Sequence, residues 1–138
     1  MEERVLAVGH EHVTAAHAST FEVTTDGYLT PAGDCILGIE ADRGPAEFDP
    51  AFVRACRDAD ATIEARLSVG RESATVTGRG HPELTFESER SLVVRTSAYV
   101  DDRTVVVAAD AAAGDLPRGL VDRLVDGDAL ELVLRVDG

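Results

Sequence analysis

Ile63-Glu64-Ala65-Arg66-Leu67-Ser68-Val69-Gly70-Arg71-Glu72-Ser73-Ala74-Thr75-Val76-Thr77-Gly78-Arg79 has the residue pattern of a β-hairpin. A two-residue turn at Gly70-Arg71 pairs Val69 with Glu72, Leu67 with Ala74 and Ala65 with Val76. The opposite face then holds Ser68 with Ser73 and Arg66 with Thr75. Glycine at the first turn position is what a type II′ turn requires. This register gathers the apolar side chains on one face, so that face must be buried.

The same alternation recurs outward from the hairpin. In His17 to Thr24, Ser19, Phe21 and Val23 fall on one side and Thr20, Glu22 and Thr24 on the other, with His17 on the first face. Val5 to Gly9 and Cys35 to Ala41 read as further strands, with Gly27 and Thr30-Pro31-Ala32-Gly33 as turns. Leu92 to Thr96 and Thr104 to Ala109 are apolar on both faces, as in buried strands. Leu130, Leu132, Leu134 and Val136 alternate in a last strand. Two helices are expected. Asp49 is an N-cap with Pro50 at the first position, ahead of Phe52, Val53 and Cys56. Asp115 to Val125 carries Leu116, Leu120 and Leu124 at helical spacing, with Pro117 in its first turn and Gly127 to end it.

The two halves of the chain resemble each other. Gly9-His10-Glu11-His12-Val13-Thr14 matches Gly80-His81-Pro82-Glu83-Leu84-Thr85. At the same offset Phe21 and Val23 align with Leu92 and Val94, and Tyr28 with Tyr99. After a short gap Ala41-Asp42 aligns with Ala109-Asp110, and Ile63 to Val69 with Leu130 to Val136. Each half reads strand, Gly-His loop, strand, strand, helix, strand, so a duplicated unit would pack on its copy about a pseudo-twofold axis. The expectation is one mainly β domain over residues 1–138, with internal repeats at about 1–71 and 72–138. It is a β-sandwich with two short helices at its edges, and the alternative is a small closed β-barrel of two duplicated halves.

Composition places this domain. The 138 residues hold 13 basic and 26 acidic side chains, a net charge of −13, and every basic residue is arginine. Such a charge repels itself at low salt. In molar salt the Debye length shrinks to about 3 Å and the repulsion is screened. An acidic chain without lysine therefore fits a cytoplasm held at very high salt. With 44% hydrophobic residues it still builds a core. The acidity argues against nucleic acid as a partner, which needs a basic stripe. Met1-Glu2-Glu3-Arg4 does not begin a signal peptide, and no stretch approaches membrane-span length. Cys35 and Cys56 then read as reduced thiols of a cytoplasmic protein, with Cys56 in the core.

Several of these residues together are similar to a known family. Gly9-His10, His17 with Thr20-Phe21-Glu22, Leu29 through Ile36 with its Gly33-Asp34-Cys35 turn, Arg103-Thr104, Asp110 and Asp115-Leu116 resemble an archaeal family known only as domain of unknown function 371. The resemblance covers nearly the whole chain and implies a sandwich-like, mainly β domain, with no activity attached. The family's first Gly-His is commonly followed by proline; here proline follows only the second, at Pro82. The absence of lysine is a second departure and reads as adaptation to salt, pointing to an extreme halophile.

Six residues are candidates for chemistry: His10, His17, Asp34, Cys35, His81 and Arg103. Imidazole, thiolate and carboxylate are zinc-type ligands, but their spacing matches no established zinc pattern, and no metal site is assigned. Cys35 with a histidine base and Asp34 or Glu22 as orienter is a set of groups that nucleophilic catalysis uses. Against this, Cys35 reads more simply as a small residue opening a buried strand beside Leu37 and Ile39, and the histidines as turn and cap residues. Arg103 after Asp101-Asp102 pairs with a neighbouring aspartate or binds an anion. Two functional readings follow. One is a domain binding a small molecule or metal, with or without catalysis. The other is a non-catalytic module that binds a protein or itself through edge strands. Aromatic residues make up only 4% of the chain, which leaves few anchors for a heteromeric interface.

Overall fold

The computed structural model describes residues 1–137. Eight strands form two four-stranded sheets. They are β1 (Glu2–Val8), β2 (Thr20–Thr24), β3 (Ile36–Gly38), β4 (Thr62–Val69), β5 (Glu72–Arg79), β6 (Ser91–Arg95), β7 (Thr104–Val106) and β8 (Ala129–Val136). Helix α1 spans Pro50–Cys56 and α2 spans Arg118–Val125, each preceded by a 3-10 turn, at Pro45–Glu47 and Ala113–Asp115.

The first sheet runs β1-β8-β4-β5 and the second β3-β2-β6-β7. The hairpin has the register read from its sequence, with Val69 opposite Glu72 and Ala65 opposite Val76. Gly70 takes φ +59°, the left-handed value that its turn position demands. Asp49 caps α1 by accepting the Ala51 N–H at 2.8 Å. The inward faces of both sheets and the apolar stripes of both helices meet in one core, where Phe21, Phe52, Leu67, Leu120 and Leu132 are almost wholly buried.

The architecture is a sandwich rather than a closed barrel. Single bridges, Val8 with Ile39 and Arg79 with Val107, tie the edge of one sheet to the edge of the other. Asp42 accepts the Leu6 N–H and Asp110 the Thr77 N–H, which covers more of the edges of β1 and β5.

Local geometry in residues 1–69 is matched in residues 72–136. Each half has the same order of elements, and each sheet reads the same from either end once first-half strands are exchanged for second-half ones. Non-glycine residues with left-handed φ occur in matching pairs, Ala15 with Phe86 and Glu40 with Ala108. The Gly-His loops also match. A Cβ on Gly9 would strike the Leu124 carbonyl of α2, and a Cβ on Gly80 the Cys56 carbonyl of α1. Each of these glycines is needed because β1 and β5 pass tightly beside the helix of the opposite half.

Several sequence expectations shift. The strands expected over Cys35 to Ala41 and Thr104 to Ala109 are the shorter β3 and β7, three residues each. Helix α2 starts at Arg118, with Pro117 as its N-cap, because the residues before it are drawn into the 3-10 turn. His17 lies ahead of β2, not on its face. Its ring accepts the backbone N–H groups of Ser19 and Thr20, so the side chain caps the start of the strand.

Candidate functional site

The second sheet turns one face to the core and the other outward. Phe21 and Val23 point in; Thr20, Glu22 and Thr24 occupy the outer face of β2. Loops from both halves fold over this outer face and leave a cleft of about 650 Å³. Its walls include Glu22, Asp26, Tyr28, Thr30 and Ile36 from the first half and Ser88, Arg90, Ser91, Asp102 and Arg103 from the second.

Glu22 stands at the floor, with its side chain only 13% exposed. Two residues reach it from opposite sides. The Cys35 thiol lies 3.8 Å from its Oε1, and Arg103 Nη1 lies 3.9 Å from the same oxygen. Cys35 and Arg103 hold matching positions in their halves. The Cys35 carbonyl accepts the Glu22 N–H, and the Arg103 carbonyl accepts the Val93 N–H.

Burial, reinforced by the Glu22 carboxylate, pushes the Cys35 thiol up, against a hydrogen bond from Thr20. Cys35 is thus a protonated thiol that donates to Glu22, unlike the thiolate of an activated nucleophile. It precedes β3 in a turn and meets Glu22, whereas Leu37 and Ile39 enter the core. Cys56 is wholly buried, and burial pushes its thiol up to about 12.

His17 joins the cluster through Thr20, whose hydroxyl is 3.1 Å from His17 Nδ1. The same nitrogen accepts the N–H groups of Ser19 and Thr20 at 3.2 and 3.1 Å. In the second half the Ser88 hydroxyl does this work, accepting the N–H groups of Arg90 and Ser91 at 3.1 Å each. Asp34 belongs to the neighbouring turn, and its carbonyl accepts the N–H groups of Ala16 and His17.

His10 and His81 stand outside this cluster. Nδ1 of His10 accepts the His12 N–H, and Nδ1 of His81 accepts the Glu83 N–H, both at 3.0 Å, so each histidine closes its own loop. Among the described residues, no three His, Cys, Asp or Glu side chains are grouped so as to hold a metal ion.

Charges around the cleft are strongly paired. Arg90 forks onto Asp26 at 2.6 to 3.0 Å, and that guanidinium, more than the opposing burial, holds the Asp26 carboxyl below its ordinary value. Arg103 binds Asp101 at 3.1 Å, the aspartate partner expected from sequence. Asp101 also takes Arg95 at 2.9 Å. Burial raises the Asp101 carboxyl, but hydrogen bonds from Arg103 and Thr104 and the Arg95 charge outweigh it and hold the group at about 2.

Residues 5–137 match the family described as Domain of unknown function (DUF371). The chain belongs to that family. An uncharacterised protein of Methanocaldococcus jannaschii is 35% identical to it over 136 residues, 99% of this chain and 98% of the relative. The family is therefore present in an archaeon, and neither comparison attaches a specific function to it. No helix among the described residues is long and apolar enough to cross a membrane.

Sequence reasoning singled out Arg103, Cys35 and His17 but passed over Asp26, Tyr28, Ser88, Arg90, Ser91 and Asp102. The signal that would have found them is asymmetry between the halves. Where the first half has Glu22, the second has Val93, and where the second has Arg95, the first has Thr24.

Proposed function

We propose that this protein is a small-molecule-binding domain whose site is the cleft over the outer face of the second sheet, with Glu22 at its floor. The observation that carries the reading is Glu22 itself. A carboxylate with only 13% of its side chain exposed costs desolvation free energy. Val93 fills the matching place in the other half without a charge, so packing does not need one there. A charged group that the fold does not require, at the base of a concave polar cleft, is what a recognition site presents. Cys35 and Arg103 set its position, and the raised thiol makes Cys35 a supporting hydrogen-bond donor.

Self-association through edge strands has less support. The bridges and the two aspartate caps already use much of the backbone of β1 and β5 that a second copy would pair with. The matched halves are read as an internal duplication, and the lysine-free acidic surface as adaptation to a cytoplasm of very high salt.

The test is a thermal-shift screen of a metabolite library on the wild type and on Glu22→Val. Compounds that stabilise the wild type and lose their effect on Glu22→Val support the reading. Compounds that stabilise both proteins equally overturn it.

A further inference from the structure

The cleft has a counterpart in the second half, and that counterpart is full. Arg95 fills it. Its guanidinium lies 4.8 Å from the centre of the Tyr99 ring, bonds Asp101 at 2.9 Å and bonds the Thr104 hydroxyl at 2.9 Å. The sequence match places Tyr28 opposite Tyr99, and strand register places Ile36 where Thr104 stands; both first-half residues line the cleft. Arg95 itself is matched by Thr24, which is short, buried and turned to Ser91. The cleft is therefore the space that a guanidinium occupies in the other half.

The lining suits the same kind of occupant. Tyr28 lines the cleft, and among the described residues no guanidinium is stacked on its ring as Arg95 is stacked on Tyr99. Five carboxylates line the cleft, those of Glu22, Asp26, Glu87, Glu89 and Asp102, against two arginines. Both arginines are already engaged, Arg90 with Asp26 and Arg103 with Asp101. An ionised carboxylate only accepts hydrogen bonds, so this lining suits a ligand that donates. A planar cation meets both demands, since it stacks on an aromatic ring and forks onto a carboxylate.

We infer that the cleft receives a ligand guanidinium, stacked on Tyr28 as Arg95 stacks on Tyr99. This rests on the cleft being the binding site and names what enters it. The guanidinium belongs to a free small molecule or to an arginine side chain of a partner, and the chemistry of the cleft is the same for both.

The experiment is an amide NMR titration of the folded chain with agmatine, N-acetyl-arginine methylamide, acetate and glucose, at matched ionic strength. Agmatine is expected to shift the amides of Tyr28, Ser91 and Arg103, with acetate and glucose leaving them in place. Tyr28→Ala should weaken agmatine about two- to fivefold, the worth of a cation over an exposed ring, and Tyr28→Phe should restore it. Thr24→Arg should supply the guanidinium from within and abolish agmatine binding. Should Thr24→Arg fail to fold, the two Tyr28 variants decide alone, because that side chain is exposed. Equal binding of the arginine amide assigns the guanidinium to a partner's side chain, and much weaker binding assigns it to a free molecule. Acetate or glucose shifting the cleft amides while agmatine does not would overturn the guanidinium and leave the cleft as the site. Agmatine shifts scattered over the acidic surface, with no probe moving the cleft, would overturn both.

Discussion

Glu22 and Val93 face each other directly across the β2–β6 pair, and each is the other's match between the two halves. In the first sheet Arg66 and Val133 stand in the same relation across β4 and β8. On the reading of the halves as a duplication, the pseudo-twofold axis would pass through these two pairs. Cys35 and Arg103, whose carbonyls hold matching positions beside β2 and β6, both end at Glu22.

Glu22→Val places valine on both sides of this pair. Arg103 keeps Asp101, and the Cys35 thiol loses one long contact. Replacing a part-buried charge with a packed apolar group is often neutral or stabilising. Chemical denaturation should place the variant within about 1 kcal/mol of the wild type. A loss of several kcal/mol would make Glu22 a structural keystone instead of a site residue.

His17→Ser copies the second half, where Ser88 caps the same two positions with a hydroxyl. His17→Ala should cost about 1–2 kcal/mol, because it strands the Ser19 and Thr20 N–H groups. His17→Ser should recover most of that. If serine proves as damaging as alanine, the ring matters for more than its cap.

Much of this fold was legible in the sequence, and the reasons are local. Period-two alternation and a glycine at one turn position specify the 63–79 hairpin, and Asp49-Pro50 specify the start of α1. The same reasoning misplaces His17, since its residue type allows either a strand position or a cap, and only the folded loop shows which N–H groups lie within reach. Arg103 was legible as an aspartate partner, because Asp101 is two residues away. Its approach to Glu22 depends on how β2, β6 and β7 lie side by side, and no local pattern encodes that. The cleft was hidden for a related reason. It exists because Thr24 is smaller than Arg95, a contrast that emerges only when the halves are compared position by position.

Asp101 sets an acid limb. Its folded value of about 2 lies below the ordinary 3.8, so protons bind the unfolded chain first as pH falls. The stability it contributes is present above about pH 4 and is lost as pH drops toward 2. Asp101→Asn should lower the thermal midpoint at neutral pH and flatten its fall between pH 4 and 2. A variant with the full wild-type slope would show that other carboxylates govern that limb.

Salt should stabilise the protein, because a charge of −13 without lysine repels itself when unscreened. Thermal midpoints in ~0.1 M and in multimolar KCl bracket the effect, since the Debye length falls from about 10 Å to 3 Å or less. The midpoint should rise. A flat or falling one would contradict the high-salt reading.

The most direct test of the binding site is crystallographic. Crystals soaked in a small-molecule library should show ligand density in the cleft over the second sheet, in contact with Glu22 and beside Tyr28 and Arg103. Ligands that leave this cleft empty and gather instead at the smaller hollows near Thr62 and Arg135, or near Arg54 and Asp58, would contradict the account.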